Sequence, residues 1–150
     1  MAGVAFTVDL DPALLADAAA VLDRLGTGFL PQLAQDIGAM IERQTKDRIQ
    51  TEKTAPDGTP WAPWSDRYAA TRNTGNRRAH SLLIDSENLL ESVQDYTTGT
   101  TVTVGSQTPY SAIHQFGGRG IAARPYLGLS DANRRDIEDL VIDLAAGWLQ

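Results

Sequence analysis

Phe29–Gln50 reads FLPQLAQDIGAMIERQTKDRIQ. Leu30, Leu33, Ile37, Met40 and Ile41 recur at spacings of three and four, which places them on one face of an α-helix. Gln44 and Arg48 continue that face in polar form, so the expectation is a helix whose far end outruns the core or meets another chain. A helix with one apolar face needs a second layer to cover it. Upstream, Val4, Phe6, Val8 and Leu10 alternate with Ala5, Thr7 and Asp9, the period-two pattern of a strand over residues 3–10 with one buried face. Between the two, Asp11-Pro12 reads as an N-cap followed by proline at the first helical position, and alanine and leucine crowd residues 13–25 before Gly26.

Downstream, Ser92–Thr97 and Thr101–Gly105 read as strands of a hairpin turning at Thr98-Gly99, with Val102 and Val104 on one face. Asp85 or Ser86 caps a short helix through Leu90. Tyr110–Phe116 reads as a short helix or turn closed by Gly117-Gly118. Ser130 or Asp131 caps a last helix whose apolar positions are Ile137, Leu140, Val141, Leu144 and Trp148. The class is α+β: a small antiparallel β-sheet packed by a long helix and a C-terminal helix. Residues 1–150 are expected to form a single domain with one loop insertion. That insertion, residues 51–80, is expected to be extended and partly mobile. Thr54–Trp64 holds three prolines and the turn signal Pro56-Asp57-Gly58. Residues 66–80 set Arg67, Arg72, Arg77 and Arg78 against Asp66 alone, a basic loop on an acidic chain.

The 150 residues carry 13 basic and 19 acidic side chains, a net charge of −6, with no cysteine and two histidines. Disulfides, thiolate metal sites and cysteine nucleophiles are excluded. His80 and His114 alone supply imidazole, so neither a multi-histidine metal site nor a cofactor is expected. Wrapping duplex DNA requires a basic footprint that the chain as a whole lacks. No apolar run approaches eighteen residues, and residues 1–30 lack a basic n-region, so neither a membrane span nor a signal peptide is expected.

Candidate chemistry is sparse. No Gly-x-Ser-x-Gly elbow accompanies His114, which sits in Ile-His-Gln-Phe-Gly. Asp136, Glu138, Asp139 and Asp143 read as the solvated face of the last helix. Gly117-Gly118-Arg119-Gly120 has no following Gly-Lys-Ser/Thr and is at most a faint echo of a phosphate loop. Trp61 and Trp64, in the proline-stiffened loop, either cover the core edge or anchor a protein interface. Arg77 and Arg78 are either solvated or meet an acidic neighbour or passing nucleic acid. Arg124 either pairs within the chain or reaches a partner.

Four motifs in order carry a resemblance. They are Pro56-Asp57-Gly58-Thr59-Pro60-Trp61-Ala62-Pro63; Leu83-Ile84-Asp85-Ser86 with Leu89 and Ser92-Val93; Val104-Gly105 with Tyr110-Ser-Ala-Ile-His114-Gln115-Phe116-Gly117-Gly118; and Ala123-Arg124-Pro125-Tyr126-Leu127-Gly128-Leu129. Across residues 30–148 the chain resembles the phage virion morphogenesis family of Mu-like tail-completion proteins. It departs at Glu87, where that family usually has glycine. The resemblance implies a non-enzymatic structural protein of a tailed phage or prophage, assembled in the host cytoplasm and residing in the virion at the head–tail junction or tail end. There it would act as a tail completion or terminator protein, or as a head–tail joining (neck) protein.

The implied partners are further copies of itself in a ring, a hexamer, together with neck or tail-tube proteins. DNA would pass through the lumen without sequence-specific binding, and no membrane is involved. Interface candidates are Trp61, Trp64, Arg67, Arg72, Arg77, Arg78 and Arg124, with the basic loop docking on an acidic surface of a neighbour. Within the motifs, His114 and Gln115 are expected to bond to backbone, and Phe116, Tyr126 and Leu127 to be buried. The rival readings are a morphogenesis factor that assists head assembly and is absent from the mature particle, a hydrolase using His114, and a nucleic-acid-binding module using Arg72, Arg77 and Arg78.

Overall fold

The computed structural model describes residues 3–10, 26, 28–72, 82–84 and 88–150. Three strands, β1 (Val4–Asp9), β2 (Gln94–Asp95) and β3 (Thr101–Ser106), form an antiparallel sheet in the order β1-β3-β2. The described helices are α1 (Phe29–Asp47), α2 (Asp66–Arg72), α3 (Asn88–Ser92), α4 (Ser111–Phe116) and α5 (Asp131–Trp148). The mixed α+β class with a small antiparallel sheet is as expected. So is the hairpin turn, where Thr98 and Thr101 exchange both backbone hydrogen bonds at 2.9 Å.

The alternation in β1 sets its register. Val4 faces Ser106 and Asp9 faces Thr101 across six paired positions. Val4, Phe6, Val8 and Leu10 pack against the core while the intervening residues are exposed. Val102 and Val104 of β3 are fully buried beneath α1, whose Phe29, Leu33, Ala34, Ile37 and Ile41 form the opposing layer. Burial of such side chains contributes roughly 1.5–3 kcal/mol each. The half-buried stripe of α5, Ile137, Leu140, Val141 and Leu144, closes the same core. Ser130 accepts from the Asn133 amide at 3.0 Å and Asn133 Oδ1 accepts from the Ser130 amide at 3.2 Å, a reciprocal cap that starts α5.

The end of α1 differs from the expectation. Its polar continuation neither outruns the core nor is exposed: Gln44, Thr45 and Arg48 are all buried. The helix widens into one π-turn over Arg48–Glu52, and Lys53, at φ 57°, closes it by donating its amide to the Arg48 carbonyl at 3.0 Å. The insertion is also more structured than a loop. Thr54 bridges Pro60, and residues 66–72 are helical. The expected helix at 13–25 with its Asp11-Pro12 cap, the segment 73–81, and residues 85–87 lie outside the described residues.

Two glycines test this packing from opposite sides. A Cβ on Gly105 would lie 2.2 Å from the Val4 carbonyl oxygen and 2.5 Å from Ala5 Cβ, so β1 would have to move. A Cβ on Gly147, inside α5, would meet nothing within 4 Å. Gly105→Ala should cost about 1–3 kcal/mol in denaturant unfolding, whereas Gly147→Ala should be stabilising by about 0.5 kcal/mol. A Gly105→Ala variant as stable as the parent would contradict the β1–β3 register.

Candidate functional site

Ala123–Leu129 has neither helix nor strand ladder to satisfy its backbone, and a buried loop must find partners elsewhere. Two of the other motifs and Arg48, at the end of α1, supply them. The Arg124 amide donates to the His114 carbonyl at 2.7 Å. Trp61 donates Nε1–H to the Pro125 carbonyl at 2.8 Å. Gln115 Oε1 accepts from the Tyr126 and Leu127 amides, each at 3.0 Å. Arg48 Nη1 donates to the Tyr126 and Gly128 carbonyls, each at 3.0 Å, and its Nη2 donates to Asn133 Oδ1. In return, Arg124 Nε and Nη2 donate to the Ala62 and Pro63 carbonyls at 2.8 Å. Gly128, at φ 132°, lets Pro56 approach so closely that a Cβ there would lie 2.8 Å from the proline ring. The result is a clasp that ties the proline-rich loop, α4, the end of α1 and the cap of α5 to one seven-residue segment.

Arg48 is its centre. The side chain is fully buried, and its nearest carboxylate, Glu52, lies 3.6 Å from Nε. Desolvation pushes the guanidinium below its ordinary pKa, with Glu52 opposing. Three oxygens fixed around one planar fork explain why arginine rather than lysine suits the position. Asn133 joins this network to the α5 cap, and Gln44 extends it by donating to Asp136 at 3.1 Å. Lys53 donates to the Ile49 carbonyl and, at 2.8 Å, to the Leu82 carbonyl, and burial pushes its pKa down to about 8.

The sequence-derived candidates separate on this frame. Pro56, Trp61, Gln115, Arg124, Pro125, Leu127 and Gly128 all meet in the clasp. Trp61 and Arg124, proposed from the sequence as interface residues, are 6% and 7% exposed and spend their donors on carbonyls inside the chain. Asp57 accepts from the Thr59 amide at 2.9 Å, a bond that holds its carboxyl below the usual range, and Gly58 takes φ 87° to complete the turn. Trp64 is half-buried, edge-on to Tyr68 at 5.6 Å, and Arg67 is exposed on α2. Arg77, Arg78, Asp85 and the side chain of Arg72 lie outside the described residues.

One expectation fails. Phe116 is 71% exposed, not buried. It is the last residue of the short α4, whose buried side is provided by Ser111 and whose Gln115 reaches the clasp. His114 joins through its main-chain carbonyl, while its buried ring Nδ1 has no hydrogen-bond partner among the described residues. Burial, followed by the nearby Arg124 charge, holds that imidazole below its ordinary pKa. Among the described residues no group of three or more His, Asp or Glu side chains could hold a metal. No described helix is long and apolar enough to cross a membrane.

Sequence reasoning missed Arg48, Gln44 and Asn133 as site residues. The available signals were Arg48, seven residues beyond Ile41 on the same face, and the spacing Ser130-x-x-Asn133. It also missed the turn after α4. Gly118 and Ile121 bridge by two backbone hydrogen bonds at 3.0 and 2.9 Å, with Arg119 at φ 50° and Gly120 at φ 78°. Positive φ at both central positions makes this a type I′ turn.

Comparison with known proteins places all of this in context. The phage virion morphogenesis family matches residues 13–145, a span that contains the entire clasp. "Putative capsid assembly protein G" of Escherichia phage Mu is 29% identical over 134 residues, covering 80% of this chain and 83% of that protein. "Mu-like prophage FluMu G protein 2" of Haemophilus influenzae is 41% identical over 66 residues, covering 39% of this chain and 48% of its own length. No solved structure matches the chain significantly.

Replacing Arg48 by methionine leaves the Tyr126 and Gly128 carbonyls and Asn133 Oδ1 without this donor. Each buried polar atom left unpaired costs about 1–3 kcal/mol, so Arg48→Met should lose roughly 3 kcal/mol or more in chemical denaturation. Arg48→Lys should recover only part of that loss. Lys53 gives a pH signature. The unfolded chain keeps its proton to about pH 10.5, whereas the folded chain releases it near pH 8. Between those values the unfolded state binds more protons, so stability should rise as pH rises from 8 towards 10, and Lys53→Met should remove that rise. Thermal melts at pH 7.5, 8.5 and 9.5 would read it.

Proposed function

Because the chain belongs to the phage virion morphogenesis family, we propose that it is a structural protein of a tailed phage or prophage particle that completes the tail or joins it to the head. It acts there as a ring of like subunits, six in number, at the head–tail junction or tail end. The observation that carries this reading is the convergence of the motifs on the Arg124–Gly128 segment. Their polar groups bond to backbone inside the chain and hold a rigid shape. A subunit of a joint needs such a shape more than it needs a reactive cleft, and in this reading the protein is not an enzyme. A ring repeats one heterologous contact, in which a patch meets a different patch on the next copy. The net charge of −6 suits a wall past which DNA moves without binding. Neck or tail-tube proteins are the further partners, and the arginines of residues 66–80 would meet an acidic surface on one of them.

The name of the Mu relative, a capsid assembly protein, favours a second reading, a factor that assists head assembly; in that reading it is absent from the mature particle. The two separate in one experiment. Purified particles should contain the chain at a small fixed copy number by quantitative mass spectrometry, and its depletion should leave filled heads and unattached tails in the lysate. Particles free of the chain, with heads missing after depletion, would establish the assembly factor instead.

A further inference from the structure

We propose that the turn Phe116–Ile121 of one copy docks on the outer face of α5 of a second copy, with Arg119 set against Glu138, Asp139 and Asp143 and the exposed Phe116 and Ile121 packing on Ile142. The proposal rests on the ring reading above and names the contact that would build it.

The turn is made for presentation. Its two backbone bonds and positive-φ centre fix its shape before any encounter, so little ordering entropy remains to oppose binding. Arginine at φ 50° is uncommon, since a left-handed conformation disfavours any residue with a Cβ. A strained residue persists where its surroundings or its role require it. The type I′ turn requires that conformation, and Arg119 is exposed and makes no ion pair or hydrogen bond among the described residues, so its side chain is free to meet a partner. Phe116 and Ile121, at the feet of the turn, are 71% and 42% exposed.

The receiving face has the complementary character. Ile142 is 65% exposed in the middle of α5, on the side away from Leu140, Val141 and Leu144. Glu138 and Asp139 lie one helical turn before it and share its face, and Asp143 adjoins it. From Asp136 to Gln150 the chain holds four acidic residues and no lysine or arginine, while Arg134 and Arg135 stand at the N-terminal edge of this face, one turn before Glu138 and Asp139. One copy thus carries both halves of the contact: a cation between two apolar side chains, and an apolar side chain among carboxylates. The halves sit on different elements, so the contact is heterologous and propagates from copy to copy until it closes. Opposite charges fix its register and steer encounter more than they add affinity.

The absence of native cysteine gives a clean test. Ala122 and Ala146 are exposed small residues beside the turn and on the α5 face, so Ala122→Cys and Ala146→Cys leave the docking side chains intact. Assemblies carrying both substitutions, purified from particle-producing cells and treated with a short bis-maleimide, should give a ladder of covalent multimers. A mixture of the two single variants should stop at the dimer. Arg119→Glu in the doubly substituted chain should abolish the ladder, and adding Asp143→Arg should restore it. Native mass spectrometry of the unsubstituted assemblies separates the possible failures. Joined copies with no cysteine ladder would overturn this contact and leave the ring. Copies that are never joined would overturn both. Dimers formed by Ala122→Cys alone would show turn meeting turn, which also contradicts the proposal.

Discussion

A guanidinium with no access to water must be met by oxygens at fixed positions, or the fold that buries it loses several kcal/mol. Arg48 imposes that requirement. Its three acceptors come from two places distant in sequence, the Tyr126–Gly128 backbone and the Asn133 side chain, and it draws both to the end of α1. Because Asn133 is also half of the α5 capping box, the same bonds decide where the last helix starts. The π-turn that follows α1 serves this arrangement. It ends in Lys53, whose carbonyl takes the Trp61 amide at 3.0 Å, so the chain leaves α1 already directed towards the clasp.

From this point the other motif residues become intelligible as one device. Trp61 and Arg124 cross-tie two loops through backbone carbonyls, and Gln115 holds the Tyr126 and Leu127 amides from the opposite side. Buried polar networks tend to specify one arrangement rather than merely add stability, and in this one Arg48 Nε and Gln44 Oε1 lack a hydrogen-bond partner among the described residues. What the clasp fixes lies at its borders. On one side stands the turn carrying Phe116 and Arg119, and on the other stands α5 with its acidic outer face. The ring subunit proposed above would need those two surfaces held at constant spacing, and the polar clasp lies between them.

The elements legible in the sequence were those with local periodicity. The alternation of β1, the stripe of α1, the hairpin turn at Thr98-Gly99 and the cap at Ser130 depend on neighbours in sequence and appear as expected, although the first hairpin strand is only Gln94–Asp95 and Ser92 ends a helix instead. What the sequence left ambiguous depends on distant partners. Arg48 looked like a polar end because nothing near it announces the carbonyls that receive it. Trp61 and Arg124 carried interface character by residue type, yet their partners are main-chain oxygens, which no residue type advertises. Phe116 looked like core because it is aromatic inside a motif. Its position as the last residue of a six-residue helix, beside a glutamine that already fills the inward role, leaves it on the surface. The motif pattern was informative about which segments matter and nearly silent about which of their atoms face outward.

The central claim, that Arg48 couples the clasp to the start of the last helix, is tested most directly by a double-mutant cycle between Arg48→Met and Asn133→Ala, read by equilibrium denaturation. Residues joined in one buried network show coupling of about 0.5–3 kcal/mol, whereas independent sites add within about 0.3–0.5 kcal/mol. The account predicts a coupling of about 1 kcal/mol or more, with the double variant little worse than Arg48→Met alone. Simple additivity of the two losses would contradict it.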